Sequence, residues 1–129
     1  MFKILVPTDF SIYATYAENA ALQIAHQLGG GQVHFYHQTY IPLMWDKMTL
    51  EEQNFFPLIK KEMEKVQRNM QRLAGKSRNY PTVDIIAKYS KGDLIENVCD
   101  YVDSENIDLI IMGSHGASGY EEWVLGSNT

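Results

Sequence analysis

Two glycine clusters near the C-terminal end carry the chemistry most worth weighing. Gly113 and Gly116 sit three residues apart, directly after the apolar run Ile107–Met112, and Gly126-Ser127-Asn128-Thr129 follows after nine intervening residues. Glycines at a strand exit let the backbone approach a ligand closely and turn its N–H groups inward. A small polar cluster that opens a helix adds free N–H groups and hydroxyls, and the helix dipole favours negative charge there. Together these groups suit an anion or a nucleotide phosphate, with no lysine required. The pattern is not a Walker A loop, because Gly-Lys-Ser/Thr is absent. It is not a dinucleotide fingerprint either, since that motif follows the first strand, and here Pro7-Thr8-Asp9 follows it. A plain glycine-rich surface turn is the bland alternative.

Such a loop needs elements to position it. Ile4-Leu5-Val6 reads as a strand buried on both faces and stopped by Pro7. Asp9 or Ser11 is suited to cap the next helix. Ala14, Ala17, Ala21, Ile24 and Leu28 mark the inner face of that helix, and Gly29-Gly30-Gly31 ends it. Val33–Tyr36 reads as a second strand, followed by an irregular stretch from His37 to Asp46. A helical pattern then runs from about Leu50 to Leu73, with Ile59, Met63, Val66, Met70 and Leu73 inward and Pro57 either starting or kinking it. Val83–Ala87 is a third strand. Asp93 to Glu96 has capping-box form, with Leu94, Ile95, Val98 and Val102 as the apolar face behind it. Ile107–Met112 is the fourth strand. The order β-α-β-α-β-α-β implies one α/β domain over residues 1–129, an open parallel sheet with helices on both faces. Ligands of such sheets bind beyond the carboxyl ends of the strands, near a topological switch point.

Composition narrows the function classes. Apolar residues are 45 % and charged residues 21 %, an ordinary globular balance. Net charge is −5, and the Lys and Arg from Lys60 to Arg78 read as a solvated helix face, which argues against a nucleic-acid partner. No apolar run reaches the roughly 20 residues that span a bilayer. The single cysteine, Cys99, rules out an intramolecular disulfide and suits a reducing cytoplasm; on its helix it reads as a small buried or half-buried residue. His26, His34 and His37 lack metal-ligand spacing and read as structural. Trp45 and Trp123 read as core or contact residues. No base orients Ser114, Ser118 or Ser127, so no catalytic set is visible.

Gly113-x2-Gly116-x9-Gly126-Ser127, together with the opening Lys3–Ser11 and the run Asp108–Gly116, resembles the ATP-binding branch of the universal stress protein family over nearly the whole chain. That resemblance implies a Rossmann-like fold of the adenine nucleotide α-hydrolase type. It implies a regulatory or sensor role in stress response, in the cytoplasm, as a homodimer or as half of a tandem protein. Pro7, Thr8 and Asp9 would meet the adenosine part. Gln38, just past the second strand, would lie beside adenine. Met112 and Gly113 would lie along the nucleotide, with His115 and Gly116 near the phosphates. Gly126, Ser127, Asn128 and Thr129 would wrap the phosphates. The cofactor would be ATP, with Mg²⁺ held mainly by phosphate oxygens.

Two departures stand out. Glu121 and Glu122 lie where the family is often basic. The final helix and strand of the family are absent, so a truncated or partner-completed domain is expected, with Ile107–Met112 at a bare sheet edge. Two further readings are an interaction or dimerisation module of the same fold without nucleotide, and an adenylating or slowly ATP-hydrolysing enzyme.

Overall fold

In the computed structural model, residues 1–39, 41–42, 44–91, 94–113 and 124–126 are described. Strand β1, Lys3–Pro7, sits at the centre of the sheet, which is why Ile4, Leu5 and Val6 are all fully buried. A run of β-branched and Leu residues with no polar alternation has no solvated face to offer. Helix α1 spans Ile12–Gln27 and is capped by Ser11, whose side chain accepts from Ala14 N. Asp9 instead accepts from Ser11 N through Oδ1 at 2.9 Å, a local turn contact. Three glycines with φ of 86°, 127° and 149° end α1 and lead into β2, Gly31–Thr39.

The connection after β2 contains a 3-10 turn at Trp45–Lys47 and a short helix α2, Leu50–Gln53, closed by a capping box between Thr49 and Glu52. Helix α3, Pro57–Ala74, takes Pro57 into its first turn, so the long helical pattern is two helices with the proline starting the second. Strand β3 spans Val83–Lys91 and helix α4 Leu94–Glu105; Asp93, the expected cap, lies outside the described residues. Strand β4 is Leu109–Ile111 and β5 is Val124–Gly126. β2 and β3 are both longer than expected, because each continues to pair past its apolar core, out to Thr39↔Lys91.

The strand order is β3-β2-β1-β4-β5, with the first four strands parallel. The direction of winding therefore reverses at β1, and the switch point lies between β1 and β4. Alternate β1 residues divide the core. Ile4 and Val6 pack with Ala17, Ala21, Leu22 and Ala25 of α1, Leu73 of α3, and Val33 and Phe35 of β2. Leu5 packs on the opposite face with Tyr36 and Ile110, against Val98, Tyr101 and Val102 of α4. The buried stripe of α1 is Ala14, Ala17, Glu18, Ala21, Leu22 and Ala25, whereas Leu28, expected inside, is 60 % exposed. Leu28 is the C-cap, where the helix has already left the sheet.

Two expectations are corrected at the sheet edge. The outer edge of β4 is covered, because β5 pairs with it antiparallel through Leu109↔Gly126, Ile110↔Leu125 and Ile111↔Val124. Gly126 accordingly belongs to a strand and does not open a helix. The apolar β4 edge presents backbone donors and acceptors that need partners, and Val124–Leu125 supplies them.

The outer charges fall as a solvated face should. Lys61, Lys65, Arg68 and Arg72 of α3 are exposed. Trp45 is buried with Ile41 and Met63, as a core aromatic. Cys99 is exposed, contrary to expectation, because the contacts of α4 with the sheet run through Val98, Tyr101 and Val102.

Candidate functional site

Three strands meet in one level row. Pro7 of β1 pairs with Tyr36 of β2. The β1–β4 register, Ile4↔Leu109 and Leu5↔Ile110, carried two residues on, sets Pro7 beside Met112. Thr8, Gly113 and Gln38 then follow just past this row. The switch point thus gathers Pro7, Thr8, Asp9, Gln38, Met112 and Gly113 at one edge of the sheet.

The first loop is tightly specified. Thr8 is buried, and its N–H donates to Tyr36 O at 2.8 Å. Its carbonyl accepts from His37 Nδ1 at 2.7 Å. Its hydroxyl donates to Glu18 Oε2 at 2.8 Å and accepts from Phe10 N at 3.1 Å. Phe10 has φ of 64°, the left-handed region that a bulky residue enters only when its surroundings impose it. Its ring stacks on His37 with centroids 4.1 Å apart.

Gly113 forms the second wall. It is buried, and a Cβ there would lie 2.8 Å from Tyr13 C, 2.9 Å from Tyr13 O and 3.0 Å from Ala14 N. Only a residue without a side chain lets the exit of β4 lie on the first turn of α1. That contact brings Gly113 beside the N-terminal end of a 16-residue helix.

Gln38 lies within β2, opposite Ser90, and not past the strand end as expected. The Tyr36 carbonyl faces β1, and peptide groups along a parallel strand alternate sides. The peptide groups of Gln38 therefore face the same side, where the β1 chain leaves the sheet at Thr8. Its side-chain oxygen is held on the α4 side by Ser90 Oγ and Asn97 Nδ2, each at 3.0 Å.

The remaining site candidates divide in two. Gly126 pairs with Leu109, three residues back from Met112, which is about 10 Å at roughly 3.3 Å per residue. In this arrangement it is not gathered with the loops above. His115, Gly116, Ser127, Asn128 and Thr129 lie outside the described residues.

Both buried histidines are structural. His34 sits between Tyr101 OH at 2.6 Å from Nδ1 and Gln32 Oε1 at 2.7 Å from Nε2, so a neutral ring carries its proton on Nε2. His37 carries its proton on Nδ1, because its partner there is a carbonyl. Burial pushes both below the ordinary 6.5, and the same burial pushes Tyr101 up to about 12. The unfolded chain therefore takes up these two protons first as pH falls. Stability from neutral His34 and His37 is fully present above about pH 6.5 and is lost as pH drops below it. Urea midpoints are expected to be lower at pH 5.5 than at pH 7.5, with a smaller difference in His37→Gln. Glu52, lowered by its bonds to Thr49, titrates below its ordinary 4.5 and does not enter this window.

Sequence reading missed Glu18 and His37 as partners of the loop. The available signal was an acid inside the apolar stripe of α1, at four residues from both Ala14 and Leu22. Among the described residues no group of three or more His, Cys, Asp or Glu is placed to hold a metal, and no helix is long and apolar enough to cross a membrane.

Known proteins share this fold. The chain is similar to a solved universal stress protein UspA from Lactobacillus plantarum, with 20 % identity and a TM-score of 0.70, covering 98 % of this chain and 87 % of that one. The hypothetical protein MJ0577 gives 26 % identity, a TM-score of 0.69, and coverage of 98 % and 83 %. A universal stress protein family protein from Arabidopsis thaliana, solved with AMP bound, gives 17 % identity, a TM-score of 0.66, and coverage of 92 % and 80 %. No match was found among curated proteins. The profile of the universal stress protein family matches residues 1–129, and with the switch-point geometry this settles that the chain belongs to the universal stress protein family.

Proposed function

We propose that this chain binds an adenine nucleotide, ATP with Mg²⁺, at the β1–β4 switch point and serves as a regulatory or sensor domain in stress response. The observation that carries the reading is the level row formed by Pro7, Tyr36 and Met112, with Thr8–Asp9, Gln38 and Gly113 just beyond it. A family protein of the same fold holds AMP. The adenosine part would sit between the Asp9 loop and Gln38. The phosphates would run past Gly113 toward His115 and Gly116, near the first turn of α1. Ser127, Asn128 and Thr129 would close over them, and Mg²⁺ would be held chiefly by phosphate oxygens. A homodimer or tandem arrangement in the cytoplasm fits this role.

One observation favours a second reading. Gly126 stands in β5 and away from the switch point, which suits an interaction module of the same fold that holds no nucleotide. Mass spectrometry of the purified protein for bound nucleotide, followed by calorimetric titration with ATP and AMP with and without Mg²⁺, separates the two. The wild type is expected to bind. Gly116→Asp is expected to weaken ATP binding by about tenfold or more, since it puts a negative charge on the phosphate path, with the urea midpoint nearly unchanged. Absence of binding in the wild type selects the interaction module.

A further inference from the structure

Glu18 is fully buried in the middle of α1 and faces the loop that carries Asp9. A carboxylate is placed there only at a desolvation cost, so its partners show what holds it. Oε2 accepts from the Thr8 hydroxyl at 2.8 Å. Oε1 meets Arg72 Nη1 of α3 at 3.4 Å, and the Arg72 side chain is 40 % exposed. The core on either side is alanine and leucine, and packing alone is equally well served by an apolar side chain.

The bond to Thr8 orients everything after it. Once the hydroxyl proton points to Glu18, the oxygen's lone pairs turn outward, and one takes the Phe10 N–H. That bond holds Phe10 in its left-handed conformation and on the His37 ring. Asp9 lies between the two bonded residues, so its backbone is fixed from both sides. Its Oδ1 is then available to Ser11 N, the N-cap of α1.

We infer that Glu18 is a positioning residue for nucleotide binding. It touches no ligand itself, and it sets the Thr8–Phe10 conformation that presents Asp9 at the switch point. Through Arg72 it also ties that loop to the outer helix α3. This rests on the nucleotide-binding reading above.

The test uses Glu18→Met, which fills the same space without an acceptor, and Glu18→Gln, whose amide oxygen still accepts from Thr8. Leu22→Ala, one turn further along the same helix, controls for lost stability. Two quantities are read in each. The first is hydrogen exchange of the Phe10 amide in the nucleotide-free protein, and the second is the ATP dissociation constant. In Glu18→Met the Phe10 amide is expected to exchange about tenfold faster or more relative to amides of β1, and ATP binding to weaken by a similar factor, the size of one lost hydrogen bond to a charged group. Glu18→Gln is expected to stay within about threefold of wild type on both. Leu22→Ala is expected to lower the urea midpoint while leaving both nearly unchanged. If the methionine variant does not fold, Glu18→Ala takes its place. Wild-type exchange at Phe10 in the folded variant, or equal loss of affinity in Leu22→Ala, overturns the inference. If the wild type binds no nucleotide, the functional reading fails, and the Phe10 exchange rate still decides whether Glu18 sets the loop.

Discussion

Gly113→Ala is expected to damage both folding and nucleotide binding. The added methyl meets main-chain atoms on every near side: Tyr13 C at 2.8 Å, Tyr13 O at 2.9 Å and Ala14 N at 3.0 Å. Main chain in the first turn of a capped helix has no rotamer to change, so either the exit of β4 or the start of α1 must move. Overpacking of this kind costs about 1–3 kcal/mol. Contact with helix backbone places Gly113 at the upper end of that range. The same movement shifts Gly113 relative to Thr8 and Asp9, so on the nucleotide-binding reading ATP affinity is expected to fall with stability. Gly75→Ala is the matched control, since nothing lies within 4 Å of a Cβ there and its φ is −66°. It is expected to be neutral or to stabilise by about 0.4–1 kcal/mol. Urea unfolding and calorimetric titration of both variants check the contrast. Equal urea midpoints and equal affinities in the two would contradict the packing described for Gly113.

Phe35→Ala is expected to give the largest pure stability loss. Phe35 is fully buried in β2 and belongs to the cluster joining α1, α3 and three neighbouring strands. Its removal leaves a cavity between two helices that are themselves fixed to the sheet, so little collapse can fill it. Such truncations cost about 3–5 kcal/mol. A domain of this size is stable by about 5–15 kcal/mol, so the variant sits near the threshold of folding. The urea midpoint is expected to fall sharply at an unchanged slope. A slope that also falls would mean that the native state has loosened beyond the cavity.

The parts of this fold written in apolar runs were legible from the residues. Ile4-Leu5-Val6 and the Ala-rich stripe of α1 each have one physical solution, burial against neighbours, and the element order then dictates a parallel sheet. The switch point followed from that order, and with it the placement of Thr8, Asp9 and Gly113. What local pattern could not supply was partner choice. The buried Glu18 reads as an interruption of a helix face until Thr8 is seen across from it. The irregular stretch from His37 to Asp46 sets Gln38 outside β2 in the sequence reading, yet it pairs with Ser90 within the sheet, and Ser90 and Asn97 hold its side chain. The polarity of β5 was also hidden. Val124-Leu125-Gly126 is apolar enough to pair with β4, but three residues carry no information on direction.

That polarity determines how sequence can vary around the site. A parallel return would need a crossover of a dozen or more residues over one face of the sheet. Because β5 runs antiparallel to β4, Ile111 and Val124, the two ends of the twelve-residue stretch 112–123, are paired at one corner of the sheet. The pairing of those two ends closes a ring of chain between them. Doubling the length of such a ring costs only about 0.6 kcal/mol in closure entropy. Insertions or deletions between the glycines are therefore thermodynamically cheap, and different ligands or partners can be accommodated there without rebuilding the sheet.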